Sequence, residues 1–237
     1  IRAELGVGLR TLGMDLSSNA DGGLTNYLVD AEAIAQTLEV GVGQALGDRL
    51  VVGADARLAA SESSPGIDYP GPTAPAGKIP FRTFAADAGV RVGVRARGAF
   101  ELALRVGGHY DVFLASAVKN AGMLPRERLA GATAGARIDI APPASRFSVS
   151  ARFDALVVGQ RAQTAGLEDG PTSTARGYWG GLTMRYALGG RLSILGAYDV
   201  ARATTQWTGM SVRQPGATST HRTDTAQLVA LGIAAEL

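Results

Sequence analysis

Apolar and polar residues alternate with a period of two along nearly the whole chain, and this pattern constrains the fold more than any other sequence feature. Between Arg2 and Arg10, for example, Leu5, Val7 and Leu9 alternate with charged residues and glycines. Successive side chains of a β-strand point to opposite faces, so the segment predicts a strand with one apolar face and one polar or small face. The same pattern recurs without any helical interlude, which predicts an all-β chain.

Ten strands are predicted, and the connections between them alternate in length. The predicted strands cover residues 2–10, 26–45, 50–58, 87–95, 100–112, 130–140, 147–154, 178–188, 192–203 and 223–237. The connections 47–49, 97–98, 141–145 and 189–190 are short, whereas 15–25, 61–83, 115–127, 162–175 and 206–222 are long. Short turns therefore lie at one end of the strands and long loops at the other. In the second strand the apolar positions change parity near Gln36 and Thr37, which predicts a β-bulge.

The apolar face of these strands either fills a soluble core or contacts lipid, and its composition favours lipid. It consists mostly of Val, Leu and Ala, whereas a soluble barrel of ten strands needs bulky side chains inside. The polar face is rich in glycines, which weaken strands on a solvated surface but make room for large side chains inside a narrow barrel. These glycines are Gly6, Gly8, Gly53, Gly89, Gly93, Gly107, Gly131 and Gly135.

Aromatic residues lie where two membrane interfaces would be. Phe100 follows a short turn and Tyr110 comes ten residues later, about 25 Å away along the membrane normal at a tilt of about 40°. The predicted girdle residues are Phe100, Tyr110, Phe147, Tyr178, Tyr186 and Trp207. No apolar run approaches the roughly 18 residues of a membrane helix. The sequence thus predicts a ten-stranded antiparallel up-and-down transmembrane β-barrel, forming one domain over residues 1–237, with a soluble β fold as the alternative.

These features resemble those of bacterial outer-membrane β-barrel proteins. In that family a glycine followed three and five residues later by hydrophobic residues forms a C-terminal assembly signal, and Gly232, Ala235 and Leu237 match it. The terminal residue is Leu where Phe is commonest. The resemblance implies the outer membrane of a Gram-negative bacterium, with short turns and termini in the periplasm and long loops outside. It also implies contact with outer-membrane lipid and lipopolysaccharide, but no particular activity.

Several functional classes are excluded by what the sequence lacks. The chain has no Cys, so disulfides, thiol nucleophiles and cysteine metal sites are ruled out. His109 and His221 are far apart and belong to no metal-binding motif. No phosphate-binding loop, nucleophile elbow or dinucleotide fingerprint is present. A net charge of +2 argues against a nucleic-acid partner, and no cofactor or metal is expected.

The polar face of the predicted barrel carries nearly equal numbers of basic and acidic residues. The basic set is Arg2, Arg10, Arg57, Arg91, Arg95, Arg105, Arg137, Arg152 and Arg185. The acidic set is Glu4, Glu39, Asp55, Asp87, Glu101, Asp111, Asp139, Asp154, Asp199 and Glu236. Ten tilted strands enclose a cylinder only about 20 Å across, so these side chains are expected to fill it as an ion-pair network.

Three functions are compatible with this pattern. A filled lumen leaves the surface and loops as the functional parts, which favours an anchor or scaffold in an envelope assembly with protein partners. A narrow porin-like channel for ions or small solutes is the first alternative. The second is an omptin-like protease in which His109, oriented by Asp111, activates water, with Asp30 or Glu32 as a second carboxylate. The chain is expected not to be an enzyme.

Overall fold

The structure is a closed antiparallel barrel of ten strands, which confirms the predicted fold. It is a computed structural model that describes residues 1–19, 27–63, 65–67, 78–96, 99–116 and 124–237. The strands are β1 (Arg2–Ser18), β2 (Tyr27–Leu46), β3 (Leu50–Ser63), β4 (Phe81–Ala96), β5 (Phe100–Ala115), β6 (Glu127–Ile140), β7 (Phe147–Gln163), β8 (Thr172–Gly189), β9 (Leu192–Thr208) and β10 (Ser219–Glu236). Within the described ranges, no helix is long and apolar enough to cross a membrane.

Each strand pairs with its sequence neighbours, and β10 pairs with β1 to close the sheet. A closed sheet satisfies the backbone hydrogen bonds of every strand without water, which is the condition for crossing hydrocarbon. Following paired residues once around the barrel from Glu4 leads back to β1 at Leu16, twelve residues further along. This offset means that the strands are tilted to the barrel axis. A series of paired residues followed around the barrel therefore shifts along the barrel axis instead of staying at one height.

The outer surface carries an apolar band next to the short turns. Its exposed residues include Leu5, Val7, Leu9, Val90, Val92, Val94, Leu104, Val106, Leu231 and Ile233. The aromatic side chains of Phe100, Tyr110, Phe147 and Tyr178 also lie on this surface, and the ring of Tyr186 packs against that of Phe147 with centroids 4.8 Å apart. Exposed aliphatic side chains on a closed barrel are the mark of a lipid-facing surface.

Beyond this band the two faces exchange polarity, which the sequence analysis did not predict. In β1, Leu12, Met14 and Leu16 are buried inside the barrel, whereas Asp15 and Ser17 are exposed outside. The strands thus continue past the lipid band as a barrel with an apolar core and a polar exterior. The core residues are Leu12, Met14, Leu16, Val29, Ala31, Ala33, Ile67, Ile79, Phe81, Phe113, Ala115 and Leu124. The strands are accordingly longer than predicted, and charges fill only part of the lumen.

The predicted bulge near Gln36 and Thr37 is wrong. The pairing of β2 with β1 and β3 runs without a shift through this region. Ala31, Ala33 and Ala35 face the lumen and belong to the same face as Glu39, so small apolar residues were misread as lipid-facing. The pairing shifts instead in β7, between Leu156 and Gly159, where one residue is inserted.

Four predicted connections fall wholly or partly outside the described residues, among them residues 20–25 of the first long loop and 117–123 of the third. Residues 97–98 of the second short turn are not described, nor are residues 64 and 68–77 of the second long loop. From the described part of that loop, Ile67 and Ile79 form two backbone hydrogen bonds with each other, of 2.9 and 2.8 Å, and both are fully buried in the apolar core. This segment therefore helps to close the long-loop end of the lumen.

Lumen glycines allow neighbouring strands and large side chains to approach closely. A Cβ at Gly107 would lie 2.2 Å from the carbonyl oxygen of Ala88, and one at Gly89 would lie 2.8 Å from the guanidinium carbon of Arg105. Such distances leave no room for even a methyl group. The glycines thus serve both the curvature of the sheet and the space for arginines.

We predict that Gly107→Ala destabilises the barrel by about 1–3 kcal/mol, the usual cost of overpacking a filled interior. The adjacent Gly108→Ala is the control, since its Cβ would meet nothing closer than 3.7 Å. Urea unfolding in lipid vesicles, followed by tryptophan fluorescence, measures both variants. Equal stability of the two would show that the close approach at position 107 is readily relaxed.

Candidate functional site

The lumen is the candidate functional site, and Arg105 is one of its most buried charges. Its side chain is 1% exposed. Its Nε donates to Asp55 at 3.0 Å and its Nη1 to Asp154 at 3.1 Å. Arg152 lies 3.5 Å from Asp154 on the other side. One guanidinium thus bridges carboxylates from β3 and β7 across the barrel, which offsets part of the desolvation cost of all three groups.

Towards the short-turn end, a second group of ion pairs joins β1, β2, β6 and β8. Arg185 lies 2.6 Å from Glu4, and Arg2 lies 2.8 Å from the same carboxylate. Arg137 donates to Asp139 at 2.8 Å and to Glu39 at 3.2 Å. Ser150 connects the two pairs because it donates to Asp139 and accepts from Arg185.

Two further ion pairs lie in the same lower part of the barrel. Arg57 makes a bidentate contact with Asp199 across the lumen, with bonds of 2.7 and 2.5 Å. Arg95 donates to Glu101 at 3.1 Å. Three ion pairs join residues two apart on one strand, Arg2–Glu4, Arg137–Asp139 and Arg152–Asp154, and the other partners come from other strands.

His109 pairs with Asp87 and not with Asp111 as predicted. Asp87 lies directly opposite His109 across β4 and β5, and the distance from His109 Nδ1 to Asp87 Oδ1 is 2.8 Å. Directly opposed residues are closer than residues two apart on one strand. The imidazole ring also packs on Trp179 with centroids 4.1 Å apart.

The other parts of the predicted catalytic group are not assembled around His109. Asp111 Oδ1 is buried without a hydrogen-bond partner among the described residues. Asp30 and Glu32, the candidates for a second carboxylate, are exposed on the outer face of β2. They point away from the lumen, so neither can act together with His109.

An outer charge layer, absent from the sequence prediction, lies nearer to the long loops. Glu127 binds both Arg161 and Arg222, and Asp224 binds the same two arginines. All four side chains are largely buried. Without the inserted residue in β7 the alternation would place Arg161 on the outer face, and the insertion turns it into the lumen. Glu127 and Arg222 lie at the ends of segments predicted as long loops, whereas Asp224 lies in the predicted strand 223–237 with the same parity as the inward Glu236.

Trp207 does not belong to an aromatic girdle. It is 1% exposed and lies on the inner face of β9, where the guanidinium carbon of Arg222 is 5.7 Å from its ring centroid. Above the lipid band the inner face takes the large apolar side chains, so a tryptophan near the long loops points inward. It shields the outer charge layer from solvent.

The last two long connections fold over this layer. The backbone NH groups of Val212 and Arg213 donate to the carbonyl of Glu168 at 2.9 and 3.3 Å. Arg213 also donates to the buried Asp169 carboxylate at 2.8 and 2.6 Å. These contacts hold one loop against the other across the long-loop end of the barrel.

Free space in the lumen is divided into separate cavities. A vestibule of about 440 Å³ opens at the short-turn end. Arg185 and Ser150 line both this vestibule and a void of about 20 Å³ above it. Arg57 and Asp199 in turn separate that void from a chamber of about 110 Å³ beside His109. Solute moving along the axis would have to displace these ion pairs.

Arg10 and the three residues of the predicted assembly signal are also located in the structure. Arg10 donates to Thr83 at 2.6 Å across the lumen. Gly232 faces Gly6 in the closing pair of strands, and a Cβ there would lie 2.0 Å from the carbonyl oxygen of Leu5. Ala235 is on the outward face of β10, and Leu237 follows the end of the strand, where it is exposed.

A closed ten-stranded barrel with an apolar exterior band and buried ion pairs defines an integral outer-membrane β-barrel protein. The comparison with solved structures agrees. The outer membrane protease OmpT from Escherichia coli is similar over 100% of this chain and 96% of its own, with a TM-score of 0.51 and 9% identity. At that identity the likeness concerns the fold alone.

Two more distant structures belong to the same class. The outer membrane protein OprG from Pseudomonas aeruginosa matches over 100% of this chain and 96% of its own, with a TM-score of 0.38 and 13% identity. Ail, the attachment invasion locus protein of Yersinia pestis, matches over 98% and 97%, with a TM-score of 0.32 and 6% identity. No family model and no curated protein matches this chain.

We predict that Arg105→Met lowers the free energy of unfolding by about 3–5 kcal/mol, because it leaves two buried carboxylates without their shared partner. Arg82→Met is the matched control, since Arg82 pairs with Glu62 at 2.8 Å on the exposed outer surface. An exposed pair contributes about 1 kcal/mol or less. Urea titration in vesicles compares them, and a small loss for Arg105→Met would show that the network is not a stabilising centre.

Proposed function

We propose that this protein is a sealed outer-membrane barrel that acts as an anchor or scaffold in an envelope assembly. The observation that supports it most is the division of the lumen by ion pairs at several levels. Arg185 with Glu4, Arg57 with Asp199, and in the outer charge layer Arg222 with Glu127 each bridge strands that are not neighbours in the barrel. A barrel whose interior is occupied in this way offers its ends and outer surface for function.

A narrow porin-like channel is the main alternative, and the cavity arrangement disfavours it. The vestibule ends at Arg185, and the chamber beside His109 is separated from it by the Arg57 and Asp199 pair. Opening a path would expose charges whose partners are held at hydrogen-bond distance. We therefore expect a non-conducting barrel.

An omptin-like protease is disfavoured by the position of its candidate base. His109 is 5% exposed. It lies beneath the outer charge layer and the loop contacts of Glu168, and among the described residues these groups stand between His109 and the long-loop end. The packing of His109 between Asp87 and Trp179 suits a structural role, and we propose no hydrolytic activity.

In planar bilayers the purified protein is predicted to give no stable conductance steps, because the void between vestibule and chamber is only about 20 Å³ and is lined by the ion-paired Arg185 and Arg57. A porin incorporated in the same bilayer controls for successful insertion. Reproducible, long-lived steps from the wild-type protein would overturn the sealed lumen and favour the channel.

Extraction of the native particle in mild detergent tests the scaffold role, which requires a defined complex larger than one 24.3 kDa chain.

Lipopolysaccharide is the proposed lipid partner, and the outer surface offers a place for its phosphates. Just above the lipid band, Arg202 faces Tyr178 across β8 and β9, and Arg176 lies two residues from Tyr178 on the same face. Neither guanidinium makes an ion pair or hydrogen bond with a described residue. Outward positions of β6 to β10 at this height hold no Asp or Glu, so the face is basic.

We predict that Arg176→Gln combined with Arg202→Gln weakens binding of bisphosphorylated lipid A about 30-fold, since each basic residue near an anionic surface contributes about 1 kcal/mol. Arg82→Gln serves as the control because Arg82 is already paired with Glu62. Titration of labelled lipid A in detergent measures the affinity. Unchanged binding of lipid A stripped of both phosphates would contradict this site.

A further inference from the structure

The short-turn end of the barrel carries an arginine in each of its three fully described turns. Arg49, Arg146 and Arg191 are exposed, and each comes directly before a lipid-facing residue at the start of a strand. None of the three side chains makes an ion pair with a described residue. In outer-membrane barrels the short turns face the periplasm, so these arginines surround the periplasmic mouth.

The backbone places these arginines on the lumen side of the mouth. The carbonyls of Arg49, Arg146 and Arg191 accept hydrogen bonds from the NH groups of Arg95, Ala187 and Glu236, so each arginine continues its ladder by one pair. Side chains alternate along such a ladder. Because the next residue of each strand points to lipid, the arginine itself belongs to the inward set. A ligand approaching along the barrel axis reaches this ring more directly than a lipid headgroup does.

The vestibule above this ring is lined by four more arginines. They are Arg2, Arg91, Arg95 and Arg185. Its carboxylates are mostly engaged already, since Arg95 binds Glu101 and Arg137 binds Asp139. Asp48 in the turn and Glu236 at the rim are the exposed carboxylates of this end. Since Arg2 and Arg185 are paired with Glu4, the basic excess of this end comes from Arg91, Arg95 and the turn arginines, with serine hydroxyls between the charges.

Arg91 has hydrogen-bonding capacity that no described residue uses. Its side chain is 10% exposed, and its Nε and Nη1 atoms have no hydrogen-bond partner. The nearest carboxylate oxygens, of Asp55 and Glu101, are 3.5 and 3.8 Å away. The guanidinium lies over Gly43 and Gly53, where a Cβ would come within 3.2 Å of it. The guanidinium lines the vestibule with hydrogen-bonding capacity that Asp55 and Glu101 do not fully use, and a guanidinium suits a carboxylate in a forked geometry.

We infer that this mouth docks an acidic segment of a periplasmic protein, whose carboxylates enter the vestibule and bind Arg91 and Arg95. The inference rests on the proposed anchoring function, because an anchor needs a partner on at least one side of the membrane. The vestibule of about 440 Å³ has room for one or a few acidic side chains but not for a folded domain. The exposed ring formed by Arg49, Arg146 and Arg191 then contacts the rest of the segment.

The test uses a fluorescently labelled hexaglutamate peptide and the full barrel in nanodiscs of zwitterionic lipid. We expect saturable binding that weakens as salt is raised, with no binding of hexaglutamine. Arg91→Gln is expected to weaken binding at least about tenfold, the usual effect of losing hydrogen bonds to a charged group. The double variant Arg95→Gln with Arg191→Gln, at partly and fully exposed positions, should weaken it as well if Arg91→Gln fails to fold.

The matched control is Arg176→Gln combined with Arg202→Gln at the opposite end of the barrel, which should leave peptide binding unchanged. Loss of binding in that control, no binding at all, or equal binding by Arg91→Gln would overturn the inference. Displacement of the peptide by equimolar inorganic phosphate would do so too, since it would indicate a small-anion site. Abolition of binding in phosphatidylglycerol nanodiscs would assign the ring to lipid. Bilayer conductance is measured independently of peptide binding. A barrel that gives no conductance steps and does not bind the peptide therefore keeps the proposed function and loses only this inference.

Discussion

The structure depends on the pairing of every deeply buried guanidinium with carboxylates from other strands. Ten strands leave a narrow interior, and arginines such as Arg105 cannot avoid burial there. An isolated buried charge is costly, but Arg105 between Asp55 and Asp154 ties the opposite walls of the barrel together. The glycines beside it follow from the same need, because Gly89 has to leave space for the guanidinium. The filled lumen is thus a consequence of how a narrow barrel accommodates its inward charges.

Much of the fold could be predicted from the alternation alone, because lipid and lumen impose opposite requirements on neighbouring residues. The positions of the short turns and the inward charges of the lower barrel follow from it. The outer part could not be read in the same way, because beyond Arg10 the pattern continues with its faces exchanged. If the same face is assumed to be apolar along the whole strand, the change of face at Leu12, Met14 and Leu16 looks like the end of the strand. Trp207 was misplaced for the same reason.

The ion-pair partners were harder to predict than the charged positions. Residues two apart on a strand, such as His109 and Asp111, share a face and are easily matched in a sequence. The closer neighbour is the residue across the ladder, and it depends on the pairing of strands, as for His109 and Asp87. The extra residue in β7 adds a second difficulty, because it changes the parity of Arg161 relative to the lower half of its own strand. Pairing offsets and bulges are set by the whole sheet and leave little local signature.

The exchange of polarity between the two parts of each strand also affects how the barrel is held in the bilayer. Once the outer part has crossed the membrane, its exterior presents charged groups such as Asp15, Asp30, Arg176 and Arg202 on the far side. Moving one of the arginines back to the midplane of the hydrocarbon costs about 2–4 kcal/mol. The apolar band below cannot leave the bilayer, because its side chains would then be exposed to water. The vertical position of the barrel is therefore fixed from both directions, and insertion acts as a one-way step that sets the height at which both rims are displayed.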